Sequence, residues 1–465
     1  MSLKSSEMIA AFERRFFSQL GKFLADVGEQ GPIAVAYSGG LDSSVLLHLL
    51  AKSLRSQHFP FFAIHIHHGL SPNANAWLAH CQTQCSKLEV PLEVERVLVE
   101  SSGQGIEAAA RRERYNAIGK VCMRLNSRLV LTAHHLDDQA ETVMMQLMRG
   151  SGVRGLAGID SSNHAPTLLG SADIRIARLL LNEARSTLEA YAHFYELMNI
   201  EDESNQNTKF VRNALRLVVM PQLEELAPNF AERVARTASH MRESKLLLEE
   251  LAADDLARAE HADDGLSLDV LNTLSQLRLK NAFRYWLSKK QVQLPSSAKL
   301  EEMLGQLMEA REDARIQIYH DGVMLSRYQD RLFIVKNRSP QSQSLDLVPA
   351  RTFVWLGEES LSIPGFAGRL LFRESNTGMA IDELRGRPLK CKRRPHGVRL
   401  RLAANRPSRD IKSHFQSAGI PFWRRDQLPF IYLSDRLLFV GELGMDAAFI
   451  DVTPGPKISL EWQAD

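Results

Sequence analysis

Ser38-Gly39-Gly40-Leu41-Asp42-Ser43-Ser44 follows the apolar run Ile33-Ala34-Val35-Ala36-Tyr37 and precedes the apolar run Val45-Leu46-Leu47. That order predicts a strand, a tight turn and a helix. Two adjacent glycines let the backbone approach an anion and turn its N–H groups toward it, and the helix start adds a partial positive charge, so the natural guest is phosphate. No lysine follows the glycines, which excludes the G-x-x-x-x-G-K-[ST] loop, and the three-glycine dinucleotide fingerprint is absent. Asp42 adds chemistry, because a carboxylate beside polyphosphate is repelled unless a divalent cation such as Mg²⁺ bridges the two. The plainer reading is a glycine turn with Asp42 or Ser43 capping a helix; the buried strand ahead of the loop favours phosphate.

Outward from this loop, Ser43–Leu54 reads as a helix and Phe61–His67 as a second strand ending in His67-His68-Gly69-Leu70. Leu92–Leu98 alternates like a third strand, Arg128–Thr132 reads as a fourth, and helical segments separate them. Met8–Val27 carries Ile9, Phe12, Phe16, Leu20, Phe23 and Leu24 at helical spacing, as a scaffold helix over the sheet. Strands alternating with helices imply a parallel sheet covered on both faces, with ligands at the carboxyl ends of the strands. Ser38–Ser44 follows the first strand, His67-His68-Gly69 the second and Ala133–Thr142 the fourth, so three polar loops converge on one edge. Taken singly, each histidine pair has an alternative reading as a strand-end turn that satisfies local backbone groups, and for His67-His68 the two readings weigh equally.

Gly105–Tyr115 predicts a helix with Glu107, Arg111 and Arg114 along one side, either as an exposed ion pair of little worth or as a phosphate or substrate contact through an arginine fork. Arg149-Gly150-Ser151-Gly152 gives a flexible basic loop. Asp202-Glu203-Ser204-Asn205, with Asp202 or Ser204 as a helix cap, precedes a helix bearing Arg212, Asn213 and Arg216 and expected to end before Pro221. From about Gln222 to Gln317 helical periodicity dominates; Gln317–Tyr319, Gly322–Leu325 and Leu332–Val335 alternate like short strands, and Asn337–Ser344 is a polar linker. Beyond it, Phe353–Trp355, Arg369–Phe372, Phe430–Leu433 and Leu437–Val440 suggest strands. The expected domains are therefore 1–220, a parallel-sheet α/β domain; 221–336, mainly helical; and 345–465, a small α/β domain.

The 465 residues exceed one ordinary core, and 44% apolar with 24% charged residues is the composition of globular proteins. Cys81, Cys85, Cys122 and Cys391 form no C-x-x-C pair, so neither a disulfide framework nor a zinc site is indicated and a reducing cytoplasm fits. No apolar run approaches the roughly 20 residues of a membrane span, and no signal-peptide core is visible. The net charge of +2 hides an asymmetry: Arg385 to Arg425 holds 13 Lys or Arg against one acid, Asp410. Such a surface suits a polyanion, the alternative being a solvated basic face.

Ser38–Ser43 resembles the S-G-G-x-D-S loop of the PP-loop ATP pyrophosphatases, Rossmann-like enzymes that cleave ATP to AMP and pyrophosphate while adenylating an oxygen. With the runs His67–Leu70, Glu107–Tyr115, Ala133–Thr142, Arg149–Gly152, Asp202–Pro221, Phe415–Arg425 and Gly441–Asp446, the chain resembles the long, three-domain tRNA(Ile)-lysidine synthetases over essentially its whole length. One departure is Arg178-Leu179-Leu180-Leu181, where that family usually has R-P-L-L, which puts the turn at Leu179 in question but not the chemistry. The resemblance implies a cytoplasmic ligase, with a homodimer as a candidate state, that uses ATP and Mg²⁺ to join free L-lysine to the wobble cytidine of the CAU-anticodon isoleucine tRNA.

It also implies residue roles. Ser38, Gly39, Gly40, Leu41, Asp42 and Ser43 would bind ATP together with His67 and His134, and Asp42 would hold the metal. Asp137 or Glu141 would accept the lysine ammonium or a second metal contact, and Arg111 would stabilise the transferring phosphate or the adenylated base. Arg149, Arg212, Arg216, Arg393, Arg394, Arg399, Lys412, Trp423 and Arg424 would contact tRNA. Three rivals stand beside this reading. A base thiolase would carry paired cysteines, and only Cys81-x-x-x-Cys85 is present; an amide-forming synthetase would bring a glutaminase domain or N-terminal catalytic cysteine; and a non-catalytic nucleotide-sensing RNA-binding protein would have no use for Asp42, Asp137 and Arg111.

Overall fold

The computed structural model describes residues 3–27, 31–57, 59–69, 71–98, 106–309, 316–336, 351–395 and 397–464. Leu70, Gly105, the Glu107 and Ser204 side chains and the linker Asn337–Ser344 lie outside the described residues. By their contacts the residues form two compact units, Met1–Leu251 and Ala252–Asp465. None of the described helices is long and apolar enough to cross a membrane.

The first unit is built on a sheet whose strands are β1 (Ile33–Ala36), β2 (Phe61–His67), β3 (Leu92–Arg96), β4 (Leu129–Leu131), β5 (Ser162–His164) and β6 (Arg175–Ala177). Their order across the sheet is β3-β2-β1-β4-β6-β5, all parallel except β5 against β6. β1 is central because it is apolar on both faces, with Ile33, Ala34 and Val35 fully buried between Phe61–Ala63 and Leu129–Leu131. The chain moves one way from β1 to β2 and β3, and the other way to β4 and β6. The crevice between the ends of β1 and β4 is thus the switch point at which open α/β sheets bind ligands.

Helices α1 (Leu3–Val27), α2 (Leu41–Gln57), α3 (Ala74–Lys87), α4 (Ile106–Arg124), α5 (Leu136–Met148), α6 (Val153–Leu156), α7 (Pro166–Leu169) and α8 (Arg185–Phe194) connect and cover these strands. On one face Phe12, Phe16, Leu46, Leu50 and Tyr191 form a core. On the other, Tyr115, Ile118, Cys122 and Leu169 pack on Ala34, Ile64 and Val130. The α/β class and the four strands read from the sequence are present, each within two residues of its expected ends. β5 and β6, at three residues each, are too short for alternation to register. Leu179, in the place of the family's proline, is buried in the turn that leaves β6.

The expectation that the Arg212 helix ends before Pro221 is not met. The segment is α-helical over Val211–Ala214, a π-helix over Leu215–Val219 and α-helical again over Met220–Leu226. Proline has no N–H and its ring collides with the carbonyl four residues back in an α-helix; a wider turn just ahead of Pro221 relieves that collision and lets the helix continue.

In the second unit, Leu279, Phe283, Trp286, Leu300 and Leu304 from two helices, Gln276–Lys289 and Ser297–Met308, pack on an antiparallel sheet. That sheet joins β7 (Leu266–Ser267) to β10 (Arg331–Lys336), β9 (Val323–Tyr328) and β8 (Gln317–His320), in that order. Residues 351–464 form a five-stranded sheet centred on Phe430–Leu433 and a four-stranded sheet centred on the pairing of Gly368–Ser375 with Lys457–Ala464. The two sheets share a core of Trp355, Phe372, Leu389 and Phe439.

The approach of α4 to α7 is set by Gly119, where a Cβ atom would fall 1.9 Å from the Leu169 carbonyl oxygen. Because the obstacle is backbone, Gly119→Ala should destabilise the first unit by about 1–3 kcal/mol or more, read as a lowered denaturation midpoint. Unchanged stability would show that this contact does not fix the helix spacing.

Candidate active site

Gly39, with φ +85°, makes the turn between β1 and α2; a Cβ there would meet Ile200 Cδ1 at 2.6 Å and Cys81 Sγ at 2.9 Å. Only glycine satisfies both the dihedral and the space. The loop is held by its own serines: Ser43 Oγ accepts from the Ser38 N–H at 3.3 Å and donates to the Gly40 carbonyl at 2.9 Å, and Ser38 Oγ lies 3.1 Å from Ser43 Oγ. The Gly39 carbonyl accepts from the Ile200 N–H at 2.9 Å. Leu41 and Asp42 open α2, so an anion at the turn meets the helix N-terminus.

Across the switch point, β4 runs into Thr132-Ala133-His134-His135 and then α5. His135 is fully buried, with Asp137 Oδ2 3.4 Å from Nδ1, and Asp138 Oδ2 at 3.5 Å and Asp42 Oδ2 at 3.7 Å from Nε2. Burial alone would pull the imidazole pKa down, but Asp137, Asp42 and Asp138 override it and push the value up to about 10. His135 is therefore an imidazolium at neutral pH. Asp137 and Asp138 are held below the usual carboxylate range, since burial, which would raise them, is outweighed by His135, helped at Asp137 by the Arg185 N–H and at Asp138 by Arg212 and Arg216.

His134 goes the other way. Burial, reinforced by Arg178, Arg111 and Arg212 against the pull of Asp138, takes it down to about 3, and its Nδ1 lies 2.9 Å from Thr132 Oγ1. One neutral and one charged imidazole thus stand side by side.

Asp137 Oδ2 accepts from the Arg185 N–H at 2.8 Å, at the start of α8, and the Arg185 guanidinium lies 3.8 Å from Asp42. Asp138 Oδ2 accepts from the His135 N–H at 3.1 Å, as a carboxylate in the first turn of a helix commonly does for the capping residue. Its other oxygen accepts from Arg212 and Arg216, each at 3.0 Å. Glu141, 1% exposed, accepts from Arg216 Nε at 2.6 Å and Arg212 Nε at 2.8 Å. Arg212 and Arg216, placed on tRNA by the sequence reading, point their guanidinium groups into this acidic cluster, and both Glu141 oxygens are taken up by them.

The structure thus brings Ser38–Ser43, His134, Asp137 and Glu141 to the ends of β1 and β4. Arg111 is exposed on α4, its guanidinium 4.9 Å from the centre of the Tyr115 ring. His67 ends β2, with Nε2 3.1 Å from Asn75 Oδ1. Arg149 is exposed just past α5.

In the second unit Lys412 is exposed, Arg399 donates to the Ser408 carbonyl and Arg424 pairs with Glu442. Arg393 lies 5.8 Å from the Phe366 ring centre, and Arg394 is 3.6 Å from Asp426. Trp423 sits edge-on to Tyr328 and Phe333.

Sequence reasoning missed His135, Asp138 and Arg185. His135 and Asp138 lie inside the quoted Ala133–Thr142 run, and their spacing, three residues apart at a helix start, was the available signal. Arg185 offered none. Burial pushes the thiols of Cys81 and Cys85 up to about 12, which leaves neither as an available thiolate.

A parallel sheet with a two-glycine phosphate loop at its switch point defines the PP-loop class of ATP-using enzymes, and residues 12–223 match the PP-loop domain model. Residues 266–333 match the TilS substrate binding domain and 389–462 the TilS substrate C-terminal domain. The tRNA(Ile)-lysidine synthase of Burkholderia pseudomallei is 38% identical over 483 residues, covering 97% of each chain. That of Alkalilimnicola ehrlichii is 38% identical over 447 residues, 95% of this chain and 96% of the relative. That of Serratia proteamaculans is 38% identical over 435 residues, 92% and 96% respectively. The chain belongs to the tRNA(Ile)-lysidine synthase family.

The raised His135 value sets a pH dependence. A group whose folded pKa lies above its unfolded value of about 6.5 contributes fully below pH 6.5 and loses that contribution as the pH rises through about 10. The stability difference between the unaltered chain and His135→Gln, measured by urea unfolding, should therefore shrink from pH 7 to pH 10 at a slope approaching about 1.4 kcal/mol per pH unit. Taking the difference cancels the titration of the buried cysteines. A difference that stays constant would mean that His135 is not charged.

Proposed function

We propose that this chain joins free L-lysine to C2 of the wobble cytidine in the CAU-anticodon isoleucine tRNA, switching its decoding and aminoacylation identity from methionine to isoleucine. In the first step the 2-carbonyl oxygen of the cytosine attacks the α-phosphate of ATP and pyrophosphate leaves. In the second the lysine amine forms a bond to C2, loses a proton, and AMP departs with the oxygen. The observation that carries this reading is the 38% identity to a tRNA(Ile)-lysidine synthase over 97% of both chains.

The Ser38–Ser43 turn and the α2 N-terminus suit the pyrophosphate portion of ATP, whose negative charge grows as it leaves. Asp42 Oδ1 is buried with no hydrogen-bond partner, an orphaned carboxylate oxygen that fits a Mg²⁺ ligand. Mg²⁺ held by Asp42 would neutralise polyphosphate charge. His134, uncharged at neutral pH, suits the adenosine portion, and His67 lies at the neighbouring strand end. Arg111, pre-oriented over Tyr115, supplies a fixed positive charge for the adenylation step.

Between the two carboxylates first considered for the lysine ammonium, Asp137 is the better placed. Its side chain is 38% exposed, whereas that of Glu141 is 2% exposed and enclosed by two guanidinium groups. Glu141, Arg212 and Arg216 then act by positioning Asp138 and the head of α5. Lysine, the phosphate donor and tRNA all meet in the cytoplasm, where we place the protein.

The direct test is incorporation of labelled lysine into total tRNA with ATP and Mg²⁺. Incorporation confined to the CAU-anticodon isoleucine tRNA is expected, with loss of both incorporation and tRNA-stimulated pyrophosphate release in folded Asp42→Ala. Pyrophosphate release without lysine incorporation would contradict the nucleophile, and near-normal adenylation by Asp42→Ala would contradict the metal role.

A further inference from the structure

Within the second unit, a cavity of about 430 Å³ lies between the β9–β10 hairpin and the segment Ala418–Arg424. This is within the size range of ligand sites. Three rings form its wall: the Trp423 ring is steeply inclined to Tyr328, at 6.0 Å and 78°, and to Phe333, at 5.3 Å and 62°. Beneath them Arg425, 4% exposed, donates from Nε to the Ile420 carbonyl at 2.7 Å and from its terminal nitrogen to the Tyr328 hydroxyl at 3.0 Å. One buried guanidinium thereby fixes both sides of the cavity, and the rings are held in place before any ligand arrives.

The charges around the cavity are matched. Asp263 pairs with Arg331 at 2.7 Å, Glu442 with Arg424, and Asp264 with Lys290 at 3.3 Å. Aromatic walls and charges already neutralised by their partners suit a flat, uncharged ring. An ammonium group would find its carboxylates already bound and two guanidinium groups beside it. Arg424 also belongs to the run of 13 basic residues between Arg385 and Arg425, so one member of that run stands at the cavity's edge.

We propose that this cavity binds one unpaired nucleotide of the tRNA, its base against Trp423 and Phe333 and its flanking phosphates on the basic run. The proposal rests on the reading of tRNA as substrate. Base-to-aromatic contact adds affinity without neutralising a phosphate, so its loss weakens binding but leaves the salt dependence intact.

The test uses the full chain and the CAU-anticodon isoleucine tRNA, with affinity measured across a salt series. Trp423→Leu should bind about tenfold more weakly with an unchanged salt slope. Ala418→Phe, which fills the cavity from an exposed position without removing a core contact, should do the same and keeps the test sound if the tryptophan variant is unstable. Ultraviolet crosslinking of the unaltered complex should yield a nucleotide adduct on a peptide containing Phe333 or Trp423. Repeating it with tRNA shortened by its unpaired 3′ nucleotides tells whether the base comes from that end, if the adduct disappears, or from a loop, if it persists. Unaltered affinity in both variants with adducts only elsewhere would overturn the cavity's role while leaving the enzyme's function standing. Absence of any tRNA binding by the unaltered chain would overturn both.

Discussion

An imidazolium ringed by three carboxylates is the constraint around which the first unit's functional edge is arranged. His135 lies within 3.4 to 3.7 Å of Asp42, Asp137 and Asp138, which come from two different strand-to-helix turns. Without the positive charge, three acids could not share so small a volume in ionised form; one would take up a proton instead. With it, Asp42 is held beside the phosphate loop, and Asp137 takes a defined position fixed by the Arg185 backbone N–H. The cation therefore holds carboxylates from two strand-to-helix turns together at the ends of β1 and β4.

The same logic extends outward in a second layer. Asp138 faces His135 with one oxygen and Arg212 and Arg216 with the other, and Glu141 closes the cluster from the next turn of α5. Two arginines four residues apart on the Val211–Val219 segment grip two acids three residues apart on α5, so a long connection is pinned to the helix that heads the site. Buried charge of this kind is weak evidence for stability as such; removing one partner is costly because the others remain desolvated. Its use here is positional. Two basic residues that sequence alone assigns to an RNA surface turn inward because acids of matching spacing are available to them.

The sheet was legible because β1, β2 and β4 are short apolar runs followed at once by polar, glycine- or histidine-rich loops, and both signals are local. The phosphate loop was legible for the same reason: Ser38 and Ser43 bond within the loop itself, although Gly39 also meets Cys81 and Ile200 from far along the chain. The ion cluster was not, since Arg212 and Glu141 are 71 residues apart and their pairing depends on tertiary structure. Pro221 misled because a π-turn, which has no sequence signature of its own, accommodates it within a continuing helix. Trp423, read from the sequence as a tRNA contact within a basic run, has as ring neighbours Tyr328 and Phe333 from the other side of the polar linker.

The charge network's role is tested most directly by a double-mutant cycle on Glu141→Gln and Arg216→Gln, with stability read by urea unfolding and function by tRNA-stimulated pyrophosphate release. If the network holds the head of α5, each single change is costly and the double change costs less than their sum, with a coupling of about 1–3 kcal/mol in stability and a matching non-additivity in rate. Additive effects in both measurements would contradict it, leaving the two residues as independent contributors.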